Sequence, residues 1–253
     1  MAKFEIKEEF YVDGKPFKIL SGAIQYFRLH PDQWRDTLYN LKALGFNTVE
    51  TYIPWALHEP QEGQFKAEGM LDFEAYFKLV KEMGLYLIVR PTPYICAEFD
   101  FGGLPAWLLR YPSMRLRVNH PLFLEKVSHF YDWLFPKLLP YQSDQGGPIL
   151  MMQVENEYGS YAEDKAYMRS IAQMMKVRGV TVPLFTSDGT WIEALESGTL
   201  IEDDIFVTGN FGSQPKENTD NLRAFMERYG KKWPLMCTEF WDGWFSRWSE
   251  EIV

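Results

Sequence analysis

Two glutamates, Glu157 and Glu239, stand at the ends of apolar runs. Residues 149–154 read ILMMQV, and Gly146, Gly147 and Pro148 break the chain just before them. Such a run predicts a short strand buried on both faces. Glu155, Asn156 and Glu157 follow at once, so charge collects at the rim of a sheet, where it is costly unless paired or used. Residues 234–239 (PLMCTE) repeat the design and end in Glu239, ahead of Phe240, Trp241, Asp242, Gly243 and Trp244. Two carboxylates facing each other across a cleft suit the cleavage of a glycosidic bond. One, protonated, donates to the leaving oxygen, while the other, ionised, attacks the anomeric carbon or activates water. A gap of about 5–5.5 Å implies a covalent intermediate and retention, and roughly 6.5–9.5 Å implies inversion.

Composition narrows the partners. Aromatic residues make up 17% of the chain, with nine tryptophans and fourteen tyrosines. Most belong in a core, but amphipathic rings beyond a core's needs line concave sites and stack on the apolar faces of ligands such as sugars. A net charge of −9 argues against nucleic acid. No apolar run is long enough for a membrane span. The charged start, Met1 to Glu9, lacks the apolar stretch of a secretory signal and predicts a cytoplasmic protein. Cys96 and Cys237 each lie in apolar segments and are expected to be reduced, framing neither a disulfide scaffold nor a metal site. The four histidines have no ligand spacing, so His58, in His-Glu-Pro, is expected to stabilise a loop. No cofactor or metal is implied, and a homo-oligomer is left open.

The elements that must carry these residues alternate. Residues 4–17 predict a hairpin around Asp13-Gly14, closing or decorating one end of the domain. Strands are expected at 17–24, 47–53, 85–90, 149–154, 182–186, 205–208 and 235–239. Helices are expected at 31–44, 72–83, 122–139, 164–178 and 218–229, several followed by a glycine as a C-cap. Helices between short apolar strands mean right-handed βαβ units and a parallel sheet. No Gly-x-Gly-x-x-Gly turn follows the first strand, which counts against a dinucleotide fold. The expected class is α/β, a TIM (β/α)8 barrel over residues 1–253, with an N-terminal β-hairpin. The residues after 239 are too few for a further helix and strand, so the barrel is expected to be truncated after its seventh strand. The eighth strand and any later β-domains would then be absent. An open barrel exposes strand edges.

In such a barrel chemistry sits at the C-terminal strand ends, and several long motifs there resemble one family. Residues 20–28 (LSGAIQYFR), 50–55 (ETYIPW), 95–99 (ICAEF), 102–108 (GGLPAWL), 154–161 (VENEYGSY) and 239–244 (EFWDGW) resemble glycoside hydrolase family 35, the β-galactosidases, over nearly the whole chain. They look closest to its bacterial, signal-less members, which prefer terminal β-1,3-linked galactose. The resemblance implies that Glu157 is the general acid/base and Glu239 the nucleophile of a retaining double displacement. It implies that Asn156 bonds the sugar 2-hydroxyl and that Tyr52, Cys96, Ala97 and Glu98 hold galactose hydroxyls, Cys96 and Ala97 through their backbone. Trp241 and Trp244 would wall the sugar. Gln25 departs from the histidine many members carry.

The plainer readings are a buried ion pair for the two glutamates and core packing for Tyr52 and Trp244. Glu155 is read as structural, directed away from Glu157. Asp188 and Asn210 stay open, as residues that cap the loops after them or serve the site. The expected partner is a galactoside oligosaccharide. The alternatives are a retaining barrel glycosidase of other sugar specificity and a non-catalytic remnant or galactose-binding module.

Overall fold

The computed structural model describes residues 3–91, 93–241, 243 and 249. Three short antiparallel strands come first: β1 (Phe4–Ile6), β2 (Phe10–Val12) and β3 (Lys15–Pro16). Asp13 and Gly14 form the expected two-residue turn between β2 and β3, where Val12 pairs with Lys15. β1 adds a third strand on the other side of β2, so the unit is a three-stranded meander where a single hairpin is expected.

The main sheet and its helices then alternate. In order they are β4 (Ser21–Ala23), α1 (Pro31–Ala43), β5 (Thr48–Tyr52), the one-turn α2 (Trp55–His58), α3 (Phe73–Glu82), β6 (Tyr86–Arg90) and α4 (Pro121–Leu138). There follow β7 (Ile149–Gln153), α5 (Lys165–Val177), β8 (Leu184–Gly189), α6 (Ile192–Gly198), β9 (Phe206–Phe211), α7 (Pro215–Arg228) and β10 (Cys237–Phe240). Local chemistry sets the helix ends. Asp72 caps α3 by accepting from the Ala75 amide at 2.9 Å, and Asp164 caps α5 through Tyr167 at 3.0 Å. No helix is expected from the sequence at α6. Its seven residues, IEALESG, are too few to show a period.

The seven strands from β4 to β10 form one parallel sheet in strict chain order. A doubly wound sheet reverses its order at a switch point. This one never does, which is the winding of a (β/α)8 barrel, with seven of its strands in place. β5, β7, β8 and β9 are buried throughout. Helices α1, α3, α4 and α5 pack their apolar stripes outside the sheet around Trp34, Phe77, Phe130 and Ile171. At the other end, Phe4 and Phe10 of the meander pack on Ile88, Met151, Phe185 and Phe206, so the meander closes the bottom of the curled sheet. β4 and β10 are its two edges. No helix among the described residues is long and apolar enough to cross a membrane.

Candidate active site

Four polar side chains at the strand ends, Glu50, Gln153, Asn156 and Glu239, converge on Arg90, the last residue of β6. It is fully buried. Its Nη1 donates to Glu50 Oε1 at 2.9 Å and its Nη2 to Asn156 Oδ1 at 2.6 Å, and Nε reaches Gln153. Nη2 also lies 2.6 Å from Glu239 Oε1. The guanidinium stacks 4.3 Å from the Tyr52 ring centroid. Burial opposes its charge, but Tyr52, Glu50 and Glu239 outweigh that and raise its pKa. Residues from β5, β6, β7 and β10 are thus tied at one rim by one cation.

Glu239 owes its direction to a slip in register. Cys237 pairs with Gly209 and Glu239 with Asn210, so Thr238 is an extra residue facing β9. Such a bulge re-aims the next side chain. Here it swings the Glu239 carboxylate onto the Tyr52 hydroxyl, which donates at 2.5 Å, and Trp241 Nε1 donates to its other oxygen at 3.4 Å. Burial raises the Tyr52 pKa well above its usual value, so the phenol stays a donor. Burial pushes the Glu239 carboxyl up, but the Arg90 charge and the Tyr52 and Trp241 donors prevail and hold it below the ordinary range. Glu239 is held ionised.

Glu157 has the opposite setting. Among the described residues its one direct side-chain bond is from Asn210 Nδ2, at 3.1 Å to Oε1. Burial raises its pKa, the Asn210 bond works against that, and the charge on Glu239 adds to the rise. The two carboxylates are close enough for each other's charge to be felt, and their environments drive them apart. Asn210 is fixed in turn by Ser187 Oγ, which donates to its Oδ1 at 2.5 Å.

Glu155 and Glu157 lie two residues apart, which in a continuing strand puts both on one face. β7 has ended by then, and both have positive φ, 58° and 46°. They part accordingly. Glu155 is fully buried behind the site, bidentate to Arg117 at 2.9 Å twice and accepting from Tyr167 at 3.0 Å. Arg117 is sandwiched by the rings of Tyr94 and Tyr161, 3.6 and 4.2 Å from their centroids, and donates to the Asn156 carbonyl at 2.9 Å. Asn156 offers its Oδ1 to Arg90 and Gln153, while its buried Nδ2 meets no partner among the described residues. A buried donor left over beside two carboxylates is set for a ligand.

A cavity of about 1050 Å³ opens between the edge strands β4 and β10. Tyr52, Ala97, Glu98, Glu239 and Trp241 line it, as does Gln25, whose Oε1 accepts from the Tyr52 amide at 3.0 Å. Cys96, Ala97 and Glu98 run consecutively through the left-handed region, at φ 57°, 52° and 45°. Arg28 donates to the Ala97 carbonyl and pins this strained turn. Cys96 itself lies beside Tyr94 and outside the cavity wall. Trp244 and Asp242 lie outside the described residues.

His58 has the loop role expected of it. Nδ1 lies 2.6 Å from the Lys66 carbonyl and Nε2 2.5 Å from the Tyr26 hydroxyl. A carbonyl only accepts, so Nδ1 carries the proton and Nε2 accepts. Burial pushes the ring's pKa down to about 4. Among the described residues no three histidines, cysteines or acids are grouped as metal ligands.

Fold and site together define a parallel α/β-barrel protein with paired carboxylates at the C-terminal rim of its sheet. The sequence pattern of Glycosyl hydrolases family 35 matches residues 9–253, and the chain belongs to that family. It is 44% identical over 244 residues to Beta-galactosidase-1-like protein 3 of Rattus norvegicus, covering 96% of this chain and 37% of that protein. It is 42% identical over 246 residues to the Beta-galactosidase of Mus musculus, with the same two coverages. The chain therefore spans little more than a third of the length of these relatives. In structure it is similar to the exo-beta-1,4-mannosidase Op5Man5 from Opitutaceae bacterium strain TAV5, with a TM-score of 0.70, 15% identity, and coverage of 90% of this chain and 46% of that one.

Proposed function

We propose that these residues serve a retaining exo-β-galactosidase that removes terminal, non-reducing β-D-galactose, β-1,3-linked galactose included, from oligosaccharides. The observation that carries the reading is the opposed setting of two neighbouring carboxyls, Glu157 raised by burial and Glu239 held low by Arg90 and Tyr52. Pairs of acids driven apart in this way divide into a proton donor and a nucleophile. Glu239 attacks the anomeric carbon, the bond to the aglycone oxygen breaks, and the Glu157 proton passes to that oxygen. Esterification then removes the Glu239 charge that helps keep Glu157 protonated, so the Glu157 pKa falls. As a base it takes a proton from the incoming water, whose oxygen displaces Glu239 from the anomeric carbon. The unpartnered Asn156 Nδ2 supports a contact to the sugar 2-hydroxyl. Tyr52, Ala97, Glu98 and Trp241 supply the wall of the sugar pocket from the cavity side, and Cys96 the adjoining backbone.

Variant kinetics on galactosides with good and poor leaving groups test the assignment. Glu157→Gln should lose far more activity on the poor leaving group than on the good one, because only the former needs the proton. Glu239→Gln should lose both. Equal losses in Glu157→Gln contradict the proposal.

A further inference from the structure

The rim beside Glu157 carries an aromatic ring that the reaction above does not use. Strand residues alternate between the two faces of the sheet. In β8, Ser187 points into the barrel mouth, since its hydroxyl holds Asn210 and Asn210 holds Glu157. Asp188 points outward, its carboxylate packed against Gly198 of α6. Gly189 shares the inward face with Ser187 and pairs directly with Asn210 in β9. A Cβ on Gly189 would fall 1.8 Å from the six-membered ring of Trp191. The indole therefore occupies the place of the missing Gly189 side chain, lying flat on the backbone above the mouth and next to the Asn210 that bonds Glu157. The ring is far from fully covered: Trp191 is 52% exposed, although it is among the largest apolar side chains of the chain.

We infer that Trp191 is the stacking platform for the sugar on the leaving-group side. This rests on Glu157 as the proton donor, since the acid must lie next to the aglycone oxygen and the aglycone must therefore lie beside Asn210 and Trp191. The ligand class is a pyranose with an apolar face of C–H groups, which an indole held flat and half in water can cover at little entropic cost. Gly189 is the enabling residue, because any side chain there lifts the ring from the strand.

The test compares kcat/KM for galactosyl-β-1,3-N-acetylglucosamine with that for β-galactosyl fluoride, whose leaving group has no ring to stack. For Trp191→Ala the ratio of disaccharide to fluoride should fall about tenfold, equivalent to about 1.4 kcal/mol, mainly through KM. Trp191→Phe should recover much of it. Gly189→Ala, with an unchanged far-ultraviolet circular dichroism spectrum, should lower the same ratio. An unchanged ratio in Trp191→Ala, whether or not both rates fall, overturns the platform while leaving the galactosidase reading intact. Wild-type protein that cleaves neither substrate overturns the galactosidase reading and the platform with it.

Discussion

Arg90 holds Glu239 at 2.6 Å from a position in which the guanidinium has no exposure to water. The contact makes the charge of Glu239 a property of the barrel core, because the same guanidinium is held by Glu50 from the neighbouring strand. A buried cation next to a carboxylate lowers that carboxylate's pKa by about 1–3 units. Arg90→Met should therefore raise the Glu239 pKa and move the acid limb of the kcat/KM profile to higher pH. The alkaline limb, which Glu157 sets if it is the proton donor proposed above, should move much less. An acid limb that stays in place would show that another group sets it.

The pair behind the site bears on stability. Arg117→Ala leaves Glu155 buried with no cation, and losing one partner of a buried ion pair costs about 3–5 kcal/mol. Urea unfolding at neutral pH should show a loss of this size. A loss below about 1 kcal/mol would mean that the Tyr167 hydroxyl and the backbone satisfy Glu155 without Arg117.

Asp188 predicts a pH dependence of stability. Burial pushes its carboxyl up to about 7, while the Gly159 amide, donating at 2.7 Å, partly opposes the shift. Between about pH 4 and 7 the folded protein thus keeps a proton that the unfolded chain has released. Stability falls as pH rises through that window and levels off above it. Asp188→Asn removes this titration and can still accept from Gly159. The variant should gain on the wild type from pH 4.5 to pH 8, as read by urea midpoints. Parallel curves would remove Asp188 from the account.

Much of this was legible in the sequence because burial and period leave strong marks. The apolar runs at 149–154 and 235–238 read as strands, and Glu157 and Glu239 stand out as charges just beyond them. Arg90 was equally a charge ending an apolar run, and the cost of burying it pointed to partners at the same rim. In sequence it reads as a strand residue, because its partners, Glu50, Asn156 and Glu239, are 40, 66 and 149 positions away and only the curled sheet brings them together. Asn210 was undecidable for the same reason: its meaning depends on the pairing of β9 with β8 and on the positive φ of Glu157. The aim of Glu239 depends on a bulge at Thr238 that no local pattern announces.

The central claim is that Glu239 is the atom-bonding partner of the sugar and Glu157 its proton donor. Incubating the protein with 2-deoxy-2-fluoro-β-galactosyl fluoride, digesting it and sequencing the labelled peptide by mass spectrometry tests this directly. One fluorogalactosyl ester is expected, on Glu239. An ester on Glu157 or another residue, or steady turnover of the reagent with no ester formed, would contradict it.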